Sequence, residues 1–237
     1  MIISAKNRTT TNTPHVYDVN LEPGSNRAEF FASNKIVNQS AFFRLKNMYT
    51  ELSEIALPLW ESASSVQVWS VGCADGREPF SIGMFLMNWL KQMGKSEIGT
   101  LWINAIDINP EMVTIARGGR FRVNRGEKRD LAAYSKYFTS FSGNEIEISE
   151  ALRRVTSFKV RDVLEVMALR HYDLIVCSNV LFYYESDFRT AIVKHLMNFL
   201  RPNGLIYMEG LGNRAAQQLG IQRVKPRSHF FELSGSA

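Results

Sequence analysis

The chain has 237 residues, 45% of them hydrophobic and 22% charged, with a formal net charge of +5. This supports one large core, excludes a fibrous or disordered chain, and gives too small a charge to argue for nucleic acid as a partner. Two cysteines, Cys73 and Cys177, make no disulfide framework, and no apolar run reaches the ~20 residues of a membrane span.

Residues 1–35 are rich in Asn, Thr, Ser and Pro and read as an arm, in which Val16, Tyr17, Val19 and Leu21 could lay one short strand on the body. The first thirteen residues lack the apolar middle of an export signal, so a cytoplasmic location is expected. Residues 36–62 form a helical segment. Its apolar set, Phe42, Leu45, Met48, Leu52, Ile55 and Leu59, is spaced by three and four and predicts a helix over 42–60.

The main domain is expected over 63–237. Strands are predicted at 66–71, 101–106, 158–160, 172–177 and 205–208, with "HFFEL" as the last. Helices are predicted at 79–93, at 110–117 with proline in its first turn, and at 187–200, where "RPNG" is expected to end it. Strands alternating with helices imply an α/β fold, a mostly parallel sheet with helices on both faces. The rhythm breaks over 120–157, where "EIEIS" alternates, so a small inserted antiparallel subdomain is expected there.

The loop "GCADG", 72–76, follows a buried strand and precedes a helix. Such loops lie outside the carboxyl ends of parallel strands, where ligands bind. Arg77-Glu78 follows instead of the Lys-Ser or Lys-Thr of a phosphate loop, and the third glycine of the dinucleotide pattern is absent. Glu78 stands where a pyrophosphate would need neutral or positive surroundings, which points to a ligand bearing a positive group. Asp107 ends the second strand, where an acid can hold two ribose hydroxyls. Asp162 follows the third strand and is placed to meet an adenine edge. An adenosine without phosphates but with an amino-acid tail is S-adenosylmethionine, and Glu78 or Asp75 could receive its ammonium. The bland alternative is that Asp75, Asp107 and Asp162 cap the turns that follow them. Asn179 sits at the mouth of the fourth strand with Tyr183 and Tyr184 after it. These tyrosines are either half-buried aromatics or, for Tyr183, a side chain facing the reacting methyl. The four histidines show no metal-ligand spacing, and no metal is expected.

Taken in order, "NQSAFFR", "WSVGCADGREPFSIGM", "AIDINPEMVTIARGGRF", "YDLIVCSNVLFYYE" and "LRPNGLIYME" resemble the CheR-type chemoreceptor glutamate methyltransferases, over about 38–233. The resemblance implies a Rossmann-like seven-stranded sheet with its last strand antiparallel. It implies S-adenosylmethionine as cofactor, with S-adenosylhomocysteine as product, and a protein glutamate as acceptor. Carried over by position, Ser40 and Arg44 reach the cofactor from the N-terminal segment. Gly72, Cys73, Glu78, Asp107 and Ile108 hold its methionyl and ribose parts. Asp162, Val163, Asn179 and Val180 complete the set, and Tyr183, with Arg44, lines the methyl-transfer site. The departures are Arg77 for the first Glu of Gly-Glu-Glu-Pro, Ser178 for the Arg of Cys-Arg-Asn-Val, and "EGLG" at 209–212 for Gly-His-Ser-Glu. The residues before "FFR" do not read as the family's helical N-terminal domain, so recognition of a chemoreceptor through such a domain is not expected. The basic stretches "RRVTSFKVR" and "GGRFRVNRGEKR" read either as a solvated rim or as a docking face for an acidic protein, and the arm as a lid or a dimer contact. A non-catalytic cofactor-binding protein and a small-molecule methyltransferase are the rival readings.

Overall fold

The computed structural model describes residues 40–95, 100–167, 171–184 and 186–235. The first half runs α1 (Lys46–Trp60), β1 (Val66–Val71), α2 (Arg77–Gln92), β2 (Leu101–Asp107), α3 (Pro110–Gly118), β3 (Arg120–Arg122), α4 (Arg125–Leu131), β4 (Phe138–Ser142) and β5 (Glu145–Ile148). The second half runs α5 (Glu150–Val155), β6 (Thr156–Val160), β7 (Tyr172–Cys177), α6 (Ser186–Met197), β8 (Leu200–Met208), α7 (Asn213–Gln218), β9 (Ile221–Arg223) and β10 (Phe230–Leu233). The arm, its strand and any dimer contact through it lie outside the described residues.

The run "VQVWSV" becomes β1, and its side chains alternate between two apolar layers. Val66 and Val68 enter one layer with Met48, Leu52, Phe80 and Met84 of α1 and α2; Trp69 and Val71 enter the other with Ile192, Val193 and Leu196 of α6. Both faces of the strand are therefore buried, at roughly 1.5–3 kcal/mol for each large side chain. Trp69 is stacked on Tyr172 and meets Phe199 edge-on, each at 5.2 Å between ring centroids.

Seven strands lie in the order β6-β2-β1-β7-β8-β10-β9. β10 runs antiparallel to both of its neighbours, and the pairs on the other side of the sheet are parallel. With helices on both faces this is the Rossmann-like methyltransferase sheet. The chain builds outward from β1 through β2 to β6, then returns to β7 on the other side. The reversal opens a crevice at the carboxyl ends of β1 and β7, the place where such sheets bind ligands.

The inserted strands form their own antiparallel sheet, β3-β5-β4, with Phe121 opposite Ile146. The main sheet resumes at Thr156, paired with Ile103, inside the 120–157 range expected for the insertion. The helix expected from residue 42 begins at Lys46, because the Phe42 and Phe43 amides bond to side chains, Glu127 Oε1 at 3.1 Å and Ser81 Oγ at 3.0 Å. "RPNG" does not end a helix. α6 stops at Met197, and "RPNG" is a bulge inside β8, where the register slips between Tyr172–Leu200 and Leu174–Leu205 and Asn203 takes φ +61°. β9 is three residues long and was not expected.

Candidate active site

The loop after β1 is tightly wound: Gly72, Ala74 and Gly76 have φ of +71°, +46° and +92°. Only glycine takes the left-handed region freely, so Ala74 holds local strain of the kind that collects at binding sites. A Cβ on Gly72 would clash with Val180 Cγ2, so the loop is pressed against the turn after β7. Gly76 answers to packing rather than to a ligand, because a Cβ there would meet Ala116 of α3 at 2.8 Å. The loop amides are committed internally. Gly72 N and Cys73 N donate to Ile106 O at 2.9 and 3.0 Å, Ala74 N to Asp107 Oδ2 at 2.7 Å, and Gly76 N to Cys73 O at 3.0 Å. A phosphate cradle needs free N–H groups. This loop has spent these four.

Glu78, in the first turn of α2, is the centre of the polar network. Ser70 Oγ, from β1, donates to its Oε1 at 3.0 Å, and Ser178 Oγ, just past β7, donates to Oε2 at 2.8 Å. Burial pushes the carboxyl up to about 7; the two hydroxyls and Arg44 oppose that rise, and Glu209 adds to it. Arg44 Nη2 donates to Ser178 Oγ at 3.3 Å. The Asn179 amide, with its oxygen turned towards Arg44, accepts from the same guanidinium. Asn179 itself has φ +55°, which turns its side chain off the β7 line.

Asp107 ends β2 with both oxygens in use, Oδ2 by Ala74 N and Oδ1 by Asn109 N at 2.9 Å. Its carboxyl is raised by burial and drawn back by these amides. Asp162 Oδ1 accepts from Leu164 N at 2.9 Å at the end of β6, and Asp75 Oδ1 from Arg77 N at 3.3 Å. All three acids therefore accept from backbone amides of the turns at the strand ends. Ser40 hydrogen-bonds to the Asp75 carboxylate.

Arg44, Gly72, Glu78, Asn179 and Val180 are brought together directly, and Asp107 joins them through Ala74. Ile108, Val180 and Tyr183 are partly buried against the Trp69 layer, which also holds Val163. Tyr183 lies in a single 3₁₀ turn, Leu181–Tyr183. Cys73 is buried, and burial with nearby Asp107 and Glu78 raises its thiol well above the ordinary value, so it is no nucleophile. Among the described residues no group of three His, Cys, Asp or Glu could hold a metal, and no helix is long and apolar enough to cross a membrane.

Sequence reasoning did not assign Ser70, although a serine inside "VWSV" is a visible polar break in a buried strand. It treated Ser178 as a loss, whereas its hydroxyl bridges Arg44 and Glu78. It gave no role to Glu209, whose Oε2 is buried without a hydrogen-bond partner just past β8. Arg77, one of the departures, is paired with Asp75 and Glu127 away from the Glu78 network.

Residues 38–218 match the family described as CheR methyltransferase, SAM binding domain. A chemotaxis protein methyltransferase of Listeria monocytogenes is 28% identical over 186 residues, covering 76% of this chain and 67% of that one. Chemotaxis protein methyltransferase 2 of Pseudomonas aeruginosa is 26% identical over 191 residues, covering 78% and 66%. The chain thus spans about two thirds of the length of these relatives. Among solved structures, magnesium protoporphyrin IX methyltransferase from Synechocystis PCC 6803 with bound SAM aligns at a TM-score of 0.41 and 14% identity, covering 86% of this chain and 91% of that one.

Proposed function

The chain belongs to the CheR methyltransferase family, whose cofactor is S-adenosylmethionine, and from that premise we propose that it methylates a carboxylate, the side chain of a glutamate in a protein. The observation that carries this reading is the Glu78 network: a half-buried acid between two serines, with Arg44 above it and the four loop amides already spent.

That donor set fits S-adenosylmethionine group by group. Glu78 receives the ammonium, and Arg44 with Asn179 takes the carboxylate. Asp107 accepts from the ribose hydroxyls, and Asp162 with Val163 meets the adenine. Gly72, Cys73, Ile108 and Val180 give the walls, and Ser40 steadies the loop through Asp75. The bound cofactor supplies an electrophilic methyl on a sulfonium.

The protein's part is alignment and exclusion of water, worth up to roughly 7–11 kcal/mol when the reacting atoms are held in line. A glutamate acceptor, with an ordinary pKa near 4.3, is ionised at neutral pH and needs no base. Neither Cys73 nor Cys177 serves as a base, since burial raises both thiols above their ordinary values. Tyr183 orients the acceptor oxygen or shields the sulfonium. Glu209 Oε2, buried and unpartnered, calls for a donor, and the N–H groups of a peptide acceptor provide one. The basic insertion supplies the docking face for an acidic protein. Arg120 and Arg122 are exposed there, paired across the strand with Glu147 and Glu145 at 3.3 and 3.7 Å, and such surface pairs yield readily to a partner.

The test is transfer of a labelled methyl group to a cytoplasmic chemoreceptor fragment. The expected product is a methyl ester that releases its label in mild base, with Y183F losing turnover more than cofactor affinity. A base-stable label would mean another acceptor atom, and full activity in Y183F would remove Tyr183 from the chemistry.

A further inference from the structure

We propose that Arg77 is a positioning residue: it fixes the 40–44 segment over the crevice and so sets cofactor affinity through Arg44, without meeting the cofactor. This rests on reading the crevice as the S-adenosylmethionine site.

Arg77 opens α2, and its side chain is only 16% exposed. Its guanidinium pairs with Asp75, stands 3.5 Å from Glu127 Oε1 and donates from Nη2 to Arg122 O at 2.9 Å. It lies 5.1 Å from the Phe121 ring centroid and 5.7 Å from that of Phe42. One cation therefore joins the cofactor loop, the insertion and the N-terminal segment.

Its two acidic partners hold that segment. Asp75 bonds Ser40, and Glu127 Oε1 accepts from Phe42 N at 3.1 Å, while Glu127 Oε2 accepts from Asn124 N at 3.1 Å. The next residue is held too: Phe43 N donates to Ser81 Oγ at 3.0 Å, and that hydroxyl donates to the Arg77 carbonyl at 2.7 Å. Phe42 meets Phe121 edge-on at 5.2 Å, and Phe43 stacks on Tyr134 at 4.5 Å. Phe43 has φ +51°, and this bend delivers Arg44 to Ser178 and Asn179.

Asp75 and Glu127 are each 8% exposed. With Arg77 removed, two buried carboxylates are left without their cation, a strongly unfavourable arrangement. Releasing the 40–44 segment lets water reach both, and Arg44 leaves with it.

The test is calorimetric titration of the full chain with S-adenosylmethionine, in wild type, R77A, R44A and the double variant. R77A is expected to weaken binding about tenfold, and to add less than about twofold in the R44A background, because both act through one group. R77K is expected to recover part of the loss, since it restores charge but not the planar fork. Should R77A not fold, R77K and E127Q carry the comparison; E127Q keeps an oxygen for the Phe42 amide, drops the charge, and is expected to bind several-fold more weakly. Wild-type affinity in R77A, or in R77K and E127Q, overturns the inference, as do additive effects of R77A and R44A. A wild type that does not bind overturns the cofactor reading and this inference with it.

Discussion

Glu78 shows what one residue contributes and what it costs. Its carboxyl ordinarily titrates at 4.5 and is pushed up to about 7 by burial. An acid whose native pKa lies above its unfolded one favours the native state below pH 4.5 and loses that contribution as the pH rises through 7. The shift corresponds to a cost of about 3 kcal/mol for holding the ionised form. The protein without ligand is therefore expected to unfold at lower denaturant at pH 8 than at pH 5, with E78Q removing most of that slope. A bound ammonium reverses the preference, so affinity for S-adenosylmethionine is expected to rise across the same interval in wild type and to stay flat, and weaker, in E78Q. Chemical denaturation and calorimetry at three pH values check both. Glu78 was singled out in the sequence by the glycine loop before it and Asn179 by its place at the mouth of a buried strand, whereas Arg44 came only from the family resemblance. Ser70 and Glu209 were not, because a single hydroxyl or acid carries no spacing. What assigns them is a neighbour 8 residues away in the case of Ser70 and Glu78, and an unanswered oxygen in the case of Glu209.

At the scale of elements, the insertion is seated by a short helix with a strong start. Asn124 caps α4, accepting from Gly126 N and Glu127 N at 2.8 and 3.0 Å, while Glu127 reaches back to the Asn124 amide. This reciprocal box satisfies donors that the helix leaves open and aims Glu127 at Phe42 and Arg77. N124A is expected to cost about 1 kcal/mol by thermal or chemical unfolding. Wild-type stability in N124A would show that the insertion is seated by its aromatic contacts alone. The long strands and α2 were readable from apolar runs and helical spacing. The start of α1 was not, since Phe42 continues the helical period while its amide is taken by a residue 85 positions away. "RPNG" misled for a related reason. Proline and glycine mark a chain turn, and whether that turn ends a helix or bulges a strand depends on the neighbour, here Tyr172 of β7.

Across the whole molecule, three separate stretches converge on the reversal point of the sheet: the segment before α1, the loop after β1 and the end of β7. None carries the chemistry alone. The order of the sequence blocks made the α/β sheet and its cofactor legible, because strand-end acids and the glycine loop have meaning only at the crevice of a parallel sheet. The acceptor was less legible, since the groups proposed to meet it, Tyr183, Glu209 and the insertion, are arranged by packing between elements distant in sequence. The most direct measurement is calorimetric titration of the full chain with S-adenosylmethionine and with S-adenosylhomocysteine. The account predicts one site per chain in the micromolar range for both, markedly weakened by D107A. No heat of binding at millimolar ligand would contradict it, and would leave the loop at Gly72 as a feature of the fold alone.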